Sequence, residues 1–188
     1  MAIVINGSGT VTGISVGGLP DDIVDAGTLA ANSGTLTEVD QWRLTTDYTG
    51  NAEPIASNLE RVDSDGFGRI GTGMTESSGL FTFPSTGIWR IDYTVSTLHD
   101  ADNRYTWFAI TSTLNDTDYD TAASAYASIN VESSNWYGNG TIAFIFDVTS
   151  VSTHKVRFHT THSDTGTTVR GSSGSNETHM TFMRLGDT

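Results

Sequence analysis

Between Ser77 and Ser96 the chain reads SSGLFTFPSTGIWRIDYTVS, and no other segment restricts the possible folds as much. Phe81 and Phe83 are separated by a polar residue and followed by Pro84. After Ser85-Thr86-Gly87 the chain resumes as Trp89, Ile91, Tyr93 and Val95 alternating with Arg90, Asp92, Thr94 and Ser96. A period of two is the pattern of strands that bury one face. Pro84 has no N–H to give to a ladder, and Gly87 accepts backbone angles that other residues avoid. The segment therefore specifies two half-buried strands joined at a tight β-corner.

Composition extends this to the whole chain. The 188 residues suit one domain with a short extension, and 36% hydrophobic content is enough for a core. Thr, Ser, Gly and Asn are abundant, and helix formers show no helical spacing, which predicts an almost all-β protein. With no cysteine, disulfides, thiolate zinc sites and a cysteine nucleophile are excluded. Nine Lys+Arg against 22 Asp+Glu give a formal charge of −13, which repels phosphate backbones and argues against nucleic acid as a partner. The apolar run at Ala2 to Ile5 breaks at Asn6-Gly7. It lacks the features of a cleavable signal, and no run is long enough for membrane insertion.

The Phe-Pro-Gly corner resembles the core signature of the tumour-necrosis-factor and complement globular-head jelly rolls. The ending ETHMTFMRL (Glu177 to Leu185) is similar to the closing strand of that family, with Met180 and Phe182 on one face and Thr181, Met183 and Leu185 on the other. More narrowly, DQWRLTTDYTG (Asp40 to Gly50), the run from Glu60 to Trp89 and the ending HMTFMRLGDT resemble a group of marine and cyanobacterial phage virion proteins. The resemblance implies an antiparallel jelly-roll sandwich assembled as a homotrimer about a threefold axis, with Met180, Phe182, Phe144 and Phe146 as trimer-interface candidates.

Two regions are expected along the chain. Residues 1–38 form an extended N-terminal arm, in which Ile3, Ile5, Val11, Ile14 and Val16 are spaced by glycines in pieces too small to bury a core alone. Such exposed apolar strands invite pairing, which suits an anchor to a partner or to sister chains. Residues 39–188 form the sandwich. Its strands are expected at Trp42–Thr45, Gly79–Phe83, Ile88–Ser96, Tyr105–Ser112, Ala125–Val131, Thr141–Val148, Lys155–Thr161 and His179–Leu185, separated by polar surface loops, of which Ser163 to Asn176 is the longest. Around Phe144 and Phe146 both faces are apolar, since Ala143 and Ile145 occupy the other side. This strand is expected to be buried on both sides, either centrally beneath a loop or at a subunit interface.

Chemistry-bearing residues are scattered. Asp116, Asp118 and Asp120 alternate as calcium ligands would, but an EF-hand beginning at Asp116 requires glycine at Thr121 and glutamate at Ala127, so a turn explains them better. Asp63 and Asp65 have the same reading. His159 and His162, three apart on a strand, do not share a face. Gly66 to Gly73 lacks the following helix of a phosphate loop, and Gly171 to Asn176 lacks a nucleophile elbow. The loop aromatics Tyr119, Trp136 and Tyr137 are candidates for stacking on a ligand, with Tyr126 beside them.

These readings converge on a non-enzymatic virion structural protein with no cofactor. It would be a homotrimeric knob on the particle surface, attached through the arm to a major capsid protein or another virion protein, as a capsid decoration or cement protein. The alternative is the receptor-binding tip of a tail or head fibre, contacting a bacterial surface glycan. A third reading, a carbohydrate enzyme or binding module, would use the Asp-rich loop.

Overall fold

The computed structural model describes residues 36–130 and 136–188. Twelve strands form the compact unit that begins at Leu36: β1 (Val39–Leu44), β2 (Thr46–Thr49), β3 (Leu59–Arg61), β4 (Thr75–Ser77), β5 (Leu80–Thr82), β6 (Gly87–His99), β7 (Asn103–Thr113), β8 (Asp120–Ile129), β9 (Trp136–Val148), β10 (Lys155–His162), β11 (Thr168–Ser172) and β12 (His179–Gly186). All pairs are antiparallel. One sheet runs β2-β11-β6-β12-β1-β3 with β9 added to β6, and the second runs β4-β5-β10-β7-β8.

The alternating sequence after the corner becomes β6, on which the first sheet is organised. Trp89, Ile91, Tyr93, Val95, Thr97 and His99 are buried, while the intervening residues lie at the outer surface. One edge of β6 pairs with β9 along its whole length, from Gly87 opposite Val148 to His99 opposite Trp136. The other edge is shared, β12 covering Ile88 to Thr94 and β11 covering Thr97 and Leu98.

The corner joins sheets rather than neighbouring strands, because β5 belongs to the second sheet and β6 to the first. Gly87 has φ 141°, and a Cβ there would lie 2.5 Å from the Gly186 carbonyl, so this crossing requires glycine. Phe81 lies at the centre of the core, with ring centroids of Trp42 at 5.5 Å, Phe158 at 5.3 Å and Phe182 at 5.3 Å. Each such ring contributes roughly 1.5–3 kcal/mol by leaving water.

All eight expected strands are present, β6 to β9 longer than expected. The pairings of β2, β3, β4 and β11 are additional, and β11 lies within the stretch read as one long loop. These strands are short, and little of their alternation is apolar. Residues 36–38 also belong to the sandwich, since the Glu38 carbonyl accepts from the Arg184 N–H at 3.0 Å.

The first sheet's margin is fixed by buried charge. Asp40 accepts from Arg61 Nε at 2.9 Å, Trp42 Nε1 at 2.9 Å and the Met74 N–H at 2.8 Å. Arg43, paired with Glu60 in the ladder, donates to Glu60, Ser64 and Asp63. Satisfied this way, buried charges are tolerated, whereas loss of a partner is costly. The glycine-rich stretch performs a similar task, because the N–H groups of Thr72 and Gly73 donate to the Glu38 carboxylate.

Candidate functional site

Residues expected at an interface divide between the core and the surface. Met180 and Phe182 are both 0% exposed and pack inside the protomer's own sandwich, so they present no surface to another chain. Phe146 is also buried, between Phe83 at 5.7 Å and Phe144 at 5.4 Å. In sequence, the apolar side of a strand reads identically whether it fills a core or meets another chain, and in the fold Met180 and Phe182 fill the core.

The outward set is different. Met183 is opposite Arg90, and Arg90 is opposite Ile145, so the three form one row across β12, β6 and β9. Ile145 is 54% exposed and Leu185 is also exposed. Nor is β9 buried on both sides, since Ala143 and Ile145 are exposed on its outer face, and among the described residues it pairs with β6 at the edge of its sheet. Its inward residues Ile142 and Phe144 are only half covered. Beside them is a cleft of about 500 Å³ lined by Leu114, Phe144 and Phe146 on its apolar side and by Asn115, Asp118 and Asp120 on its polar side.

The Asp-rich segment is a turn organised by Asn115. Asn115 Oδ1 accepts from the N–H groups of Thr117 at 3.0 Å and Asp118 at 2.9 Å, while Asp116 takes φ 66° and ion-pairs with Lys155. The acidic groups are thus placed by local bonding and a surface ion pair. Asp63 is the ion-pair partner of Arg43, and Asp65 occupies a left-handed turn position.

The histidines are likewise dispersed, and among the described residues no three His, Cys, Asp or Glu side chains converge as metal ligands. His154 stacks on Phe146 with centroids 5.6 Å apart, and His159 bonds Thr111 on the outer face of β10. His162 points inward into a polar cluster at the end of the sandwich. Its Nδ1 is 2.9 Å from Thr106 Oγ1, which accepts from Asn103 Nδ2 at 2.9 Å. The Asn103 amide is oriented by the Asp164 N–H, which donates to its Oδ1. Burial pushes His162 down to about 4, and neighbouring His99 adds to the effect. His99 is held 3.4 Å from Asp164 and 3.7 Å from Asp100.

The three loop aromatics do not form one site. Tyr119 lies at the β7–β8 end, its ring covered by the Arg157 guanidinium at 3.6 Å. Trp136 and Tyr137 begin β9 at the opposite end, opposite His99 and Leu98. At about 3.3 Å per residue the two groups are roughly 30 Å apart. Tyr137 is exposed beneath Arg170, whose guanidinium is 5.1 Å from the ring. The arm candidates Ile3, Ile5, Val11, Ile14 and Val16 lie outside the described residues.

Among solved structures, the chain is similar to murine APRIL at pH 5.0, with TM-score 0.55 and 12% identity over 80% of this chain and 100% of that one. It is also similar to murine APRIL at pH 8.5, with TM-score 0.51 and 12% identity over 79% of this chain and 98% of that one. The fold is a TNF-like jelly roll. At this identity the likeness is one of fold alone. No protein-family model matches the chain, and no curated protein matches it by sequence.

Within the jelly roll, a further group of aromatic residues was not recognised as one site from sequence. Trp107 of β7 is in register with Tyr126 of β8 on one side and Thr161 of β10 on the other, and the Tyr105 ring meets that of Tyr126 edge-on at 5.7 Å. All four residues line one cleft on the outer face of the second sheet. The alternation of Tyr105 and Trp107 with Thr106 and Phe108 was the available signal. It shows two side chains sharing a face, while Tyr126 joins them only through strand pairing.

Proposed function

We propose that this protein is a non-enzymatic structural component of a phage particle, a homotrimeric jelly-roll knob attached through residues 1–38 and most simply a capsid decoration or cement protein. The observation that carries self-association is the exposed Ile145, in one row with Arg90 and Met183 on the outer face of the first sheet, together with the half-covered Phe144 on the inner face of the same open-edge strand β9. Exposed apolar side chains such as Ile145 and Leu185 on this face favour a protein contact over solvent, with the Arg90–Asp92 pair lying between β9 and β12. The edge position of β9 supports the interface alternative raised by its two apolar faces. The phage setting is supported by the resemblance of Asp40 to Gly50, Glu60 to Trp89 and the C-terminal strand to virion proteins.

Light scattering on the purified full chain tests the assembly: the expected mass is about three times 20.1 kDa, and a stable monomer would refute it. Mass spectrometry of purified virions tests the location. Deletion of residues 1–35, which spares the Glu38 contacts of the sandwich, is expected to remove the protein from particles while leaving the trimer intact in solution.

A second reading, recognition of a bacterial surface glycan, is favoured by exposed aromatic rings. Adsorption of the protein to host cells, competed by their surface polysaccharide, tests it.

A further inference from the structure

We propose that the outer face of the second sheet carries a neutral-sugar binding site built on Tyr105, Trp107 and Tyr126. The site rests on the glycan reading only for where its sugar comes from.

Tyr126 is 70% exposed although it lies within a regular strand, and Trp107 is beside it in the neighbouring strand. The Tyr105 ring, set edge-on to Tyr126 at an interplanar angle of 84°, supplies a wall to this platform. The rings line a cleft of about 350 Å³, completed by Thr161. That is the lower range of small-ligand pockets.

The rim has the chemistry of a sugar hydroxyl site. The Thr161 hydroxyl donates to one carboxylate oxygen of Glu53 at 2.7 Å, which leaves the second oxygen to accept from a ligand hydroxyl. Ser163 borders Tyr105 but is engaged within the protein, its hydroxyl accepting from the Tyr105 N–H at 3.3 Å and donating to Asn103 Oδ1 at 2.7 Å, so Glu53 is the group that meets ligand hydroxyls. Sugars present an apolar C–H face to a ring and hydroxyls to the rim, the two surfaces offered here.

Charge selects among sugars. Glu53 at the rim and a net charge of −13 disfavour sialylated, sulfated or phosphorylated glycans. The cations on the same face are already engaged, Arg157 over Tyr119 and Lys155 with Asp116. A protein partner fits less well, because a stable interface covers about 800 Å² on each side, whereas this aromatic patch spans three rings ringed by Ser124, Ser128 and Glu53.

The test is titration of the full chain with short neutral oligosaccharides of glucose, galactose, mannose and N-acetylglucosamine, read by tryptophan fluorescence and by saturation transfer to sugar C–H protons. At least one series is expected to bind, Tyr126→Ala to weaken it about ten-fold, and Tyr137→Ala to leave it unchanged. Glu53→Gln is expected to weaken binding less than Tyr126→Ala. Absence of binding to every series, or equal binding by Tyr126→Ala, overturns the site. Light scattering on Tyr126→Ala covers the remaining occupant: a change in oligomeric mass would make the patch a self-interface and also overturn it. Binding to a purified oligosaccharide without adsorption to cells would support the site and remove the receptor role.

Discussion

The ring of Phe108 occupies the space that a side chain at residue 140 would need: a Cβ added to Gly140 would clash with the Phe108 ring carbons. Phe108 comes from β7 and Gly140 from β9, so this contact lets the two sheets close near the open edge. Gly140→Ala is therefore expected to cost about 1–3 kcal/mol through overpacking. Thermal unfolding should report it as a fall of about 2–4 °C per kcal/mol. An unchanged midpoint would show that Phe108 moves aside freely.

Asp40 holds four side-chain and backbone donors on one buried carboxylate, from Arg61, Trp42, the Met74 N–H and the Gln41 N–H. Asp40→Ala would leave Arg61, Trp42 and the Met74 N–H without their acceptor, at a cost of about 3–5 kcal/mol. Asp40→Asn keeps the shape and one acceptor oxygen, so a smaller loss is expected. Denaturant unfolding of both variants measures the order, and equal losses would show that shape rather than charge matters there.

Acid should loosen the polar end of the sandwich. Unfolded, His162 takes its proton near the ordinary histidine value of about 6.5. In the fold its pKa is pushed down to about 4 by burial and by His99. Between those values the unfolded chain binds more protons. The contribution of His162 to stability is therefore present above pH 6.5 and lost as pH falls towards 4, by up to about 3 kcal/mol. His162→Asn, which retains a partner for Thr106, is expected to flatten stability measured between pH 7 and 4. An unchanged slope would transfer the effect to His159 and His179, which burial also pushes down.

Core and interface roles on β12 and β9 separate by mutation. Phe182→Ala removes a ring packed on Phe81 and Phe158 and is expected to cost about 3–5 kcal/mol in stability. Ile145→Asp changes an exposed residue, so protomer folding should move by no more than about 0.5 kcal/mol while the oligomer dissociates. Light scattering beside circular dichroism distinguishes them, and a trimer surviving Ile145→Asp would move the interface elsewhere.

Alternation from Trp89 to Val95 made β6 legible, and the Phe-Pro-Gly corner made its junction legible, because period and turn chemistry are local properties. The same locality concealed β11 and the short pairings of β2, β3 and β4, whose stability comes from neighbours distant in sequence. Asp116 to Asp120 was legible as a turn for the same reason, although Asn115 is the residue that closes it. Tyr119, Trp136 and Tyr137 looked alike as loop aromatics, yet the strands carry them to opposite ends.

By itself, the sequence determined that this chain is a β-sandwich and which residues share a face of each strand, since side chains alternate wherever a strand forms. Only the tertiary structure decided which of those faces became core. Phe182 became core because Phe81 and Phe158 of the opposite sheet cover it, with Met180 in the same cluster, and Ile145 remained outside because among the described residues no second layer packs on the outer face of the first sheet. A strand's two faces are chemically distinct in sequence, but burial depends on what the rest of the chain places against each one.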